Sequence, residues 1–178
     1  AAAHAARARS LTTIANQYGE VTRRAGLYDA AIASAERAIA IAPDLADAHS
    51  TLGFTLFQGR LDARAARQPF ERSVLSGSGK ATVLAGYAQY SARTGRDSEA
   101  VTSMTRALRL DPLNPLIYCA AGSVEYAARR YAESISPLRK ALDMNPKMGR
   151  AHASIGDALL MLGKAAEARV EYAAEPAM

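Results

Sequence analysis

The sequence has no tryptophan, three phenylalanines and a single cysteine in 178 residues. With Cys119 alone, no intrachain disulfide and no cysteine metal site can form. No apolar run approaches the roughly 18 residues that a bilayer-spanning helix needs, so no membrane span is expected. No signal-peptide pattern opens the chain, because residues 1–10 carry His4, Arg7 and Arg9 among their alanines. β-Branched residues never gather in alternating runs, which argues against a sheet. Charge of one sign is not concentrated either. The net +5 comes mostly from arginines spread along the chain, whereas nucleic-acid contact calls for a basic stripe or a dense cluster. There is also no initiator methionine, so a piece of a longer protein is expected, with a cytoplasmic setting favoured.

What is present is an apolar fraction of 49%, enough to exclude wholesale disorder. It is rich in alanine and leucine, which favour helix. A phrase recurs in it at a fixed step: RAIAIAP at residues 37–43, RALRLDP at 106–112 and KALDMNP at 140–146. Pro112 and Pro146 are separated by a step of about 34 residues. Pro43 precedes Pro112 by two such steps and one residue, so one further copy with one extra residue belongs between them. A period of this length marks a solenoid of helix pairs, each unable to bury its apolar face alone.

The period divides the chain into residues 12–45, 46–79, 81–114, 115–148 and a partial unit at 149–178, preceded by a tail or extension at 1–11. In the first unit, Ile14, Tyr18 and Val21 mark one helical face, with Gly19 at a close approach. Gly26 is expected to end that helix as a left-handed cap. Tyr28, Ala31, Ile32, Ala35, Ala38 and Ile39 then recur at three- and four-residue steps, up to the stop at Pro43. The second unit repeats the pattern with Leu52, Gly53, Leu56 and Phe57, and Gly59 is read as its turn. An extra residue is placed between Gly59 and Phe70, and the closing proline gives way to Ser76-Gly77-Ser78-Gly79. Pro69 falls inside the expected helix, where it predicts a kink or a late start. Pro137 falls at the equivalent place, so the position is expected to face outward. The third unit is regular, with Gly95 in the place of the turn glycine, and the fourth follows with Tyr118, Ala121, Gly122, Tyr131, Leu138 and Pro146. The fifth fades after Tyr172, and Pro176 would disrupt its last helix.

A small residue, a turn glycine, a tyrosine, two alanines seven apart and a closing proline, repeated in this order, resemble the tetratricopeptide repeat over about residues 12–172. The favoured tryptophan of that family is missing from every unit. DLADAHSTLG at residues 44–53 and the stretch 106–146 resemble, more narrowly, repeat segments of bacterial signalling proteins, notably winged-helix activators and class III nucleotide cyclases. The resemblance implies an all-α, right-handed superhelix of about five helix pairs whose first helices line a concave groove. It also implies a protein-interaction scaffold, not an enzyme, with no cofactor. The alternatives are a regulatory segment of a fused regulator or cyclase, or self-association into homo-oligomers through open repeat ends.

The groove positions that the resemblance implies are Asn16, Glu20, Arg23 and Arg24, then Ser50, Phe54, Phe57 and Gln58. They continue with Thr82, Gln89 and Arg93, then Cys119, Ser123 and Tyr126, and finally Arg150, Asp157, Leu160 and Met161. Arginines beside aromatic anchors suit an acidic or carboxylate-bearing protein segment. Phe54 and Phe57 could equally pack as core. The charges of a chaperone-tail clamp are absent, since its places hold Asn16, Glu20, Thr51, Thr82 and Gly86.

Other candidates for chemistry have simpler readings. Ser76 to Lys80 resembles a phosphate cradle, but Val74 stands where the first glycine belongs and Ala81 follows the lysine, so a turn is expected. His49 and His152 share one repeat position about three units apart, too far to share an ion, and read as packing residues. Cys119, flanked by Ala120 and Ala121, reads as an inert buried thiol. Arg23-Arg24 and Arg129-Arg130 read as cations at the C-terminal ends of first helices.

Overall fold

The computed structural model describes residues 1–17, 21–77 and 79–176, and no strand occurs among them. Among the described residues ten α-helices follow one another: α1 (Ala2–Gln17), α2 (Val21–Ile41), α3 (Ala46–Phe54), α4 (Ala63–Gly77), α5 (Ala81–Arg93), α6 (Asp97–Leu110), α7 (Pro115–Ala127), α8 (Tyr131–Met144), α9 (Ala151–Met161) and α10 (Ala165–Ala174). Taken two at a time they are the expected five helix pairs of an all-α solenoid. Helices α2, α6, α8 and α10 each stop before a proline (Pro43, Pro112, Pro146 and Pro176). The chain forms two compact units, residues 1–90 and 91–178.

Within the pairs the turn is set by one residue in the left-handed region. Leu61, Gly95, Arg129 and Gly163 have φ of 55°, 76°, 59° and 75° and follow one another at the repeat period. After three of them the next amide returns to the carbonyl five residues back: Arg96 to Ser91 (2.8 Å), Arg130 to Glu125 (3.0 Å) and Lys164 to Leu159 (2.9 Å). This satisfies carbonyls that the helix end would otherwise leave bare. After Leu61 the bond runs from Asp62 to Leu56, six residues back. The difference arises in the π-helical turn Thr55–Gly59 that continues α3. There the Arg60 amide reaches the Thr55 carbonyl at 3.2 Å, and the wider ring accommodates one more residue. The inserted residue therefore lies between Gly53 and Leu61, not between Gly59 and Phe70. Leu61, not Gly59, is the left-handed turn residue. Gly59 serves a close approach instead, since a Cβ there would meet the Tyr28 ring at 2.6 Å.

Two further expectations are corrected. Gly26 does not end a helix but lies exposed inside α2, where glycine costs only about 1 kcal/mol relative to alanine. The proline position faces inward. Pro69 is buried and Pro137 half-buried, and the residues at the same register, Ser103 and Glu171, are also buried. Neither proline delays its helix, because α4 and α8 each begin six residues earlier. Burying the proline ring offsets part of the ~3 kcal/mol backbone cost. Tyr18, Gly19 and Glu20 lie outside the described residues, as do the side chain of Val21 and Ser78.

The core of both units is built from small residues seven apart on the second helix of each pair. Ala31 and Ala38, Ala66 and Ser73, Ala100 and Ala107, Ser134 and Ala141, and Ala168 are all at 1% exposure or less. Small side chains there let helices approach closely. One large side chain per pair then fills the space beside them: Phe70, Met104, Leu138 and Tyr172, again at the repeat period. Phe70 lies on Gly53, Leu138 on Gly122 and Tyr172 on Gly156, each so near that a glycine Cβ would stand 2.9, 2.6 and 2.7 Å away.

Candidate functional site

In the first unit the aromatic anchors are partly used by the fold. Phe54 and Phe57 are half-buried and pack against Ala66, Phe70 and Tyr90. Phe57 meets Tyr90 edge-on at 5.2 Å, and Phe70 stacks on Tyr90 at 4.7 Å. The Tyr90 hydroxyl donates to the Ala63 carbonyl at 2.8 Å, which fixes the ring in place. Gln58 and Gln89 are half-buried. The exposed Asn16 accepts a hydrogen bond from the Tyr28 hydroxyl at 2.6 Å. Arg23 and Arg24 are exposed, but they stand in the first turn of α2 and not at the end of the preceding helix. The start of a helix is the positive end of its dipole, so the capping expectation fails for this pair. Glu20 lies outside the described residues.

Arg129 and Arg130 do lie at a helix end, where Arg129 is the left-handed turn residue after α7. Arg130 Nε donates to Glu125 Oε2 at 2.5 Å. That bond, with the charges of Glu125 and nearby acids, raises the Arg130 pKa despite partial burial.

The second unit assembles the remaining groove residues on α5, α7 and α9. Arg93, at the end of α5, donates to Ser123 Oγ on α7 at 3.3 Å. Desolvation, and then the like charge of Arg150, lower its pKa from the ordinary guanidinium value. One turn beyond Ser123, Tyr126 is 36% exposed and packs edge-on against Tyr131 at 5.2 Å. Its phenol is raised by desolvation, then by the negative charge of Asp157 and by Tyr131. On α9, Leu160 and Met161 are 49% and 53% exposed. Asp157 accepts from the Tyr172 hydroxyl at 2.7 Å. Asp157 thus departs from a solvent-facing groove residue in having Tyr172 as its partner. Cys119 is half-buried against Leu138, Ile155, Leu159 and Ala168, and burial pushes its thiol up to about 11.

The other candidates have structural partners. Lys80 pairs with Asp47 at 2.7 Å, and Gly77 closes α4 with a Cβ position only 2.5 Å from Ala46 Cβ, so this turn is a packing feature. His49 Nε2 lies 2.7 Å from the Pro43 carbonyl. His152 Nδ1 lies 2.7 Å from Glu171 Oε2, and Arg139 reaches the other oxygen of Glu171 at 3.2 Å. Glu175 accepts from the amides of Arg150 and, at 2.8 Å, Ala153, and so caps α9. Glu171 and Glu175 are absent from the sequence-based candidates. Their signal is visible in the period: Glu171 stands where earlier pairs carry Pro69, Ser103 and Pro137, and Glu175 where they carry Ser73, Ala107 and Ala141.

Residues 119–177 match the tetratricopeptide repeat family. That match covers about the last third of the chain. Its fold is shared by a thermophilic tetratricopeptide repeat protein of Thermus thermophilus, with a TM-score of 0.71 and 20% identity over 93% of this chain and 88% of that one. A tetratricopeptide repeat protein from Parabacteroides merdae has a TM-score of 0.70 and 14% identity, covering 96% of this chain and 66% of that one. In sequence the repeats are 30% identical over 87 residues to the Hsp70-Hsp90 organizing protein of Triticum aestivum. That alignment takes in 49% of this chain and 15% of the relative, so the chain spans a small part of the relative's length. Among the described residues no helix is long and apolar enough to cross a membrane.

Proposed function

We propose that the chain is a protein-binding scaffold that holds a segment of a partner protein along the first helices of its repeats. The observation that carries this reading is the face on α7 and α9, where Tyr126, Leu160 and Met161 keep large apolar surfaces in water. Rigid helices present these anchors preformed, so little ordering entropy opposes binding on the protein's side. Arg93 favours an acidic segment there, as Arg23 and Arg24 do on the first unit, consistent with the net charge of +5. Phe54 and Phe57 would contribute only the parts of their rings left outside the unit-1 core. The resemblance to repeat segments of bacterial signalling proteins motivates a setting beside a regulatory domain. The chaperones named for the wheat relative belong to that protein.

Panning a displayed random-peptide library on the immobilised chain tests the reading. Enriched peptides should bind saturably and lose at least about tenfold in affinity to a Tyr126→Ala/Leu160→Ala variant. No enrichment, or equal binding to the variant, would remove it.

A further inference from the structure

We infer that a cavity between the second helices α6 and α8 receives an apolar side chain and a neighbouring basic one from a segment of a partner protein. This surface is separate from the first-helix face proposed above, since Tyr126, Leu160 and Met161 take no part in its lining. The cavity holds about 450 Å³ and is open along one side. Met104, Leu108, Ala121, Val124 and Pro137 give it an apolar floor. The space has a cause in the repeat. Ala121 precedes Gly122, and at its register the second, third and fifth pairs carry Leu52, Tyr87 and Ile155. A methyl group there leaves unfilled the room that a larger side chain would take.

The rim of this cavity holds a carboxylate that its neighbours in the repeat do not leave exposed in the same way. In the third and fifth pairs the residue after the left-handed turn pairs with an acid three positions on: Arg96 with Glu99 at 3.7 Å, and Lys164 with Glu167 at 3.4 Å. Arg130 and Glu133 hold those two positions in the fourth pair. There Arg130 turns instead to Glu125, at 2.5 Å. The adjacent pairs have no acid at that place, carrying Ser91 and Leu159. Glu133 is exposed and, among the described residues, has no hydrogen bond or ion pair. Arg130 acts on it only as a more distant charge. Glu125, Glu133 and Arg130 all line the cavity, so two carboxylates face one guanidinium and the rim is negative in a chain of net charge +5. An unpaired carboxylate beside an apolar floor complements a cation that has an apolar neighbour. It disfavours anionic lipid and nucleic acid. A small metabolite would need several converging polar groups to fix its orientation, whereas a side chain is oriented by the segment that carries it.

The test follows the methyl resonances of Met104 and Ala121 by NMR in the isotope-labelled 178-residue chain. The probe is N-acetyl-leucyl-lysinamide. The comparison compounds are its Nε-acetylated form, N-acetyl-glycyl-lysinamide and hexylammonium chloride. The probe should shift both methyls saturably. It should bind at least about threefold more tightly than the acetylated form and at least about tenfold more tightly than the glycyl compound. Glu133→Gln, at an exposed position, should erase the preference for the free amine and leave the thermal midpoint unchanged. Ala121→Leu, followed through Met104, should fill the floor and weaken binding at least about tenfold; if that variant does not fold, Glu133→Gln decides alone. The Tyr126→Ala/Leu160→Ala variant should bind the probe as wild type does, which separates this site from the first-helix face. No methyl shift, equal binding of the acetylated form, a retained preference in Glu133→Gln, undiminished binding to folded Ala121→Leu, or loss in the first-helix variant would overturn the inference. Hexylammonium binding as tightly as the probe would overturn a protein segment as the occupant.

Discussion

Leu138 lies over Gly122 so tightly that a Cβ on the glycine would stand 2.6 Å from Leu138 Cγ and 3.0 Å from the Ser134 carbonyl oxygen. Leu138 is 3% exposed and packed against Ile155, Leu159 and Ala168, so its side chain has nowhere to move. The backbone oxygen cannot move without shifting α8.

Gly122→Ala should therefore destabilise the chain by about 1–3 kcal/mol, the range for overpacking a filled core. Gly149→Ala is the control, because a Cβ there meets nothing within 4 Å and φ is not positive. Urea unfolding of the two variants checks the contrast, and equal midpoints would contradict the packing account.

Arg129 occupies a turn position that Gly95 and Gly163 fill in the neighbouring pairs, all with positive φ. A left-handed non-glycine residue carries about 1–2 kcal/mol of strain. Arg129→Gly should stabilise the chain by up to about 1 kcal/mol after the added freedom of the unfolded glycine is subtracted. Gly95→Ala and Gly163→Ala should lower stability by a similar amount. Thermal melts of the three variants give the signs.

With its thiol at about 11, Cys119 should be a poor nucleophile in the folded chain. At pH 8 only about one thiol in a thousand would be ionised. Reaction with a thiol-specific disulfide reagent should be slow at that pH and accelerate on addition of denaturant. The same shift has a stability consequence. The folded pKa lies above the reference value of 9.0, so the thiol's contribution is complete below about pH 9 and is lost as pH rises through about 11. Fast labelling of the native chain at pH 8 would contradict the burial assignment.

Glu171 is 9% exposed and joins α8, α9 and α10 through Arg139 and His152. Glu171→Ala strands the imidazole of His152 and should cost about 1–3 kcal/mol. Arg139→Ala removes only the partner with a 61% exposed side chain and should cost under about 1 kcal/mol. Chemical denaturation distinguishes the two, and a larger loss for Arg139→Ala would overturn the central place given to Glu171.

Much of this architecture is legible without coordinates because its causes are local. Proline after α2, α6 and α8 removes the donors and conformations a helix needs, and glycine at 95 and 163 permits the left-handed turn. The alanine pairs seven apart mark a narrow helical face whatever they pack against. Gly26 misleads because an exposed glycine in a helix and a glycine after one look alike in a string of letters. Arg23 and Arg24 are misplaced with it, since moving the helix boundary reverses the dipole they face. Leu61 escapes notice because nothing in a leucine announces positive φ. The backbone takes that conformation only because the π-helical turn before it has absorbed one residue.

The candidate site divides in the same way. Arginines and aromatic residues at first-helix positions are visible from the period alone. Whether an aromatic ring is core or surface depends on its neighbours: Phe57 packs on the buried Tyr90, whereas Tyr126 packs on Tyr131 and stays exposed. The sequence by itself determined the number of helix pairs, where most of them turn and which faces are apolar, because these follow from backbone preferences repeated in every unit. Only the tertiary structure decided which polar groups find partners, joining Arg93 to Ser123, Glu171 to His152 and Glu175 to the start of α9. Those choices depend on distances across packed helices, which residue spacing along one chain does not specify.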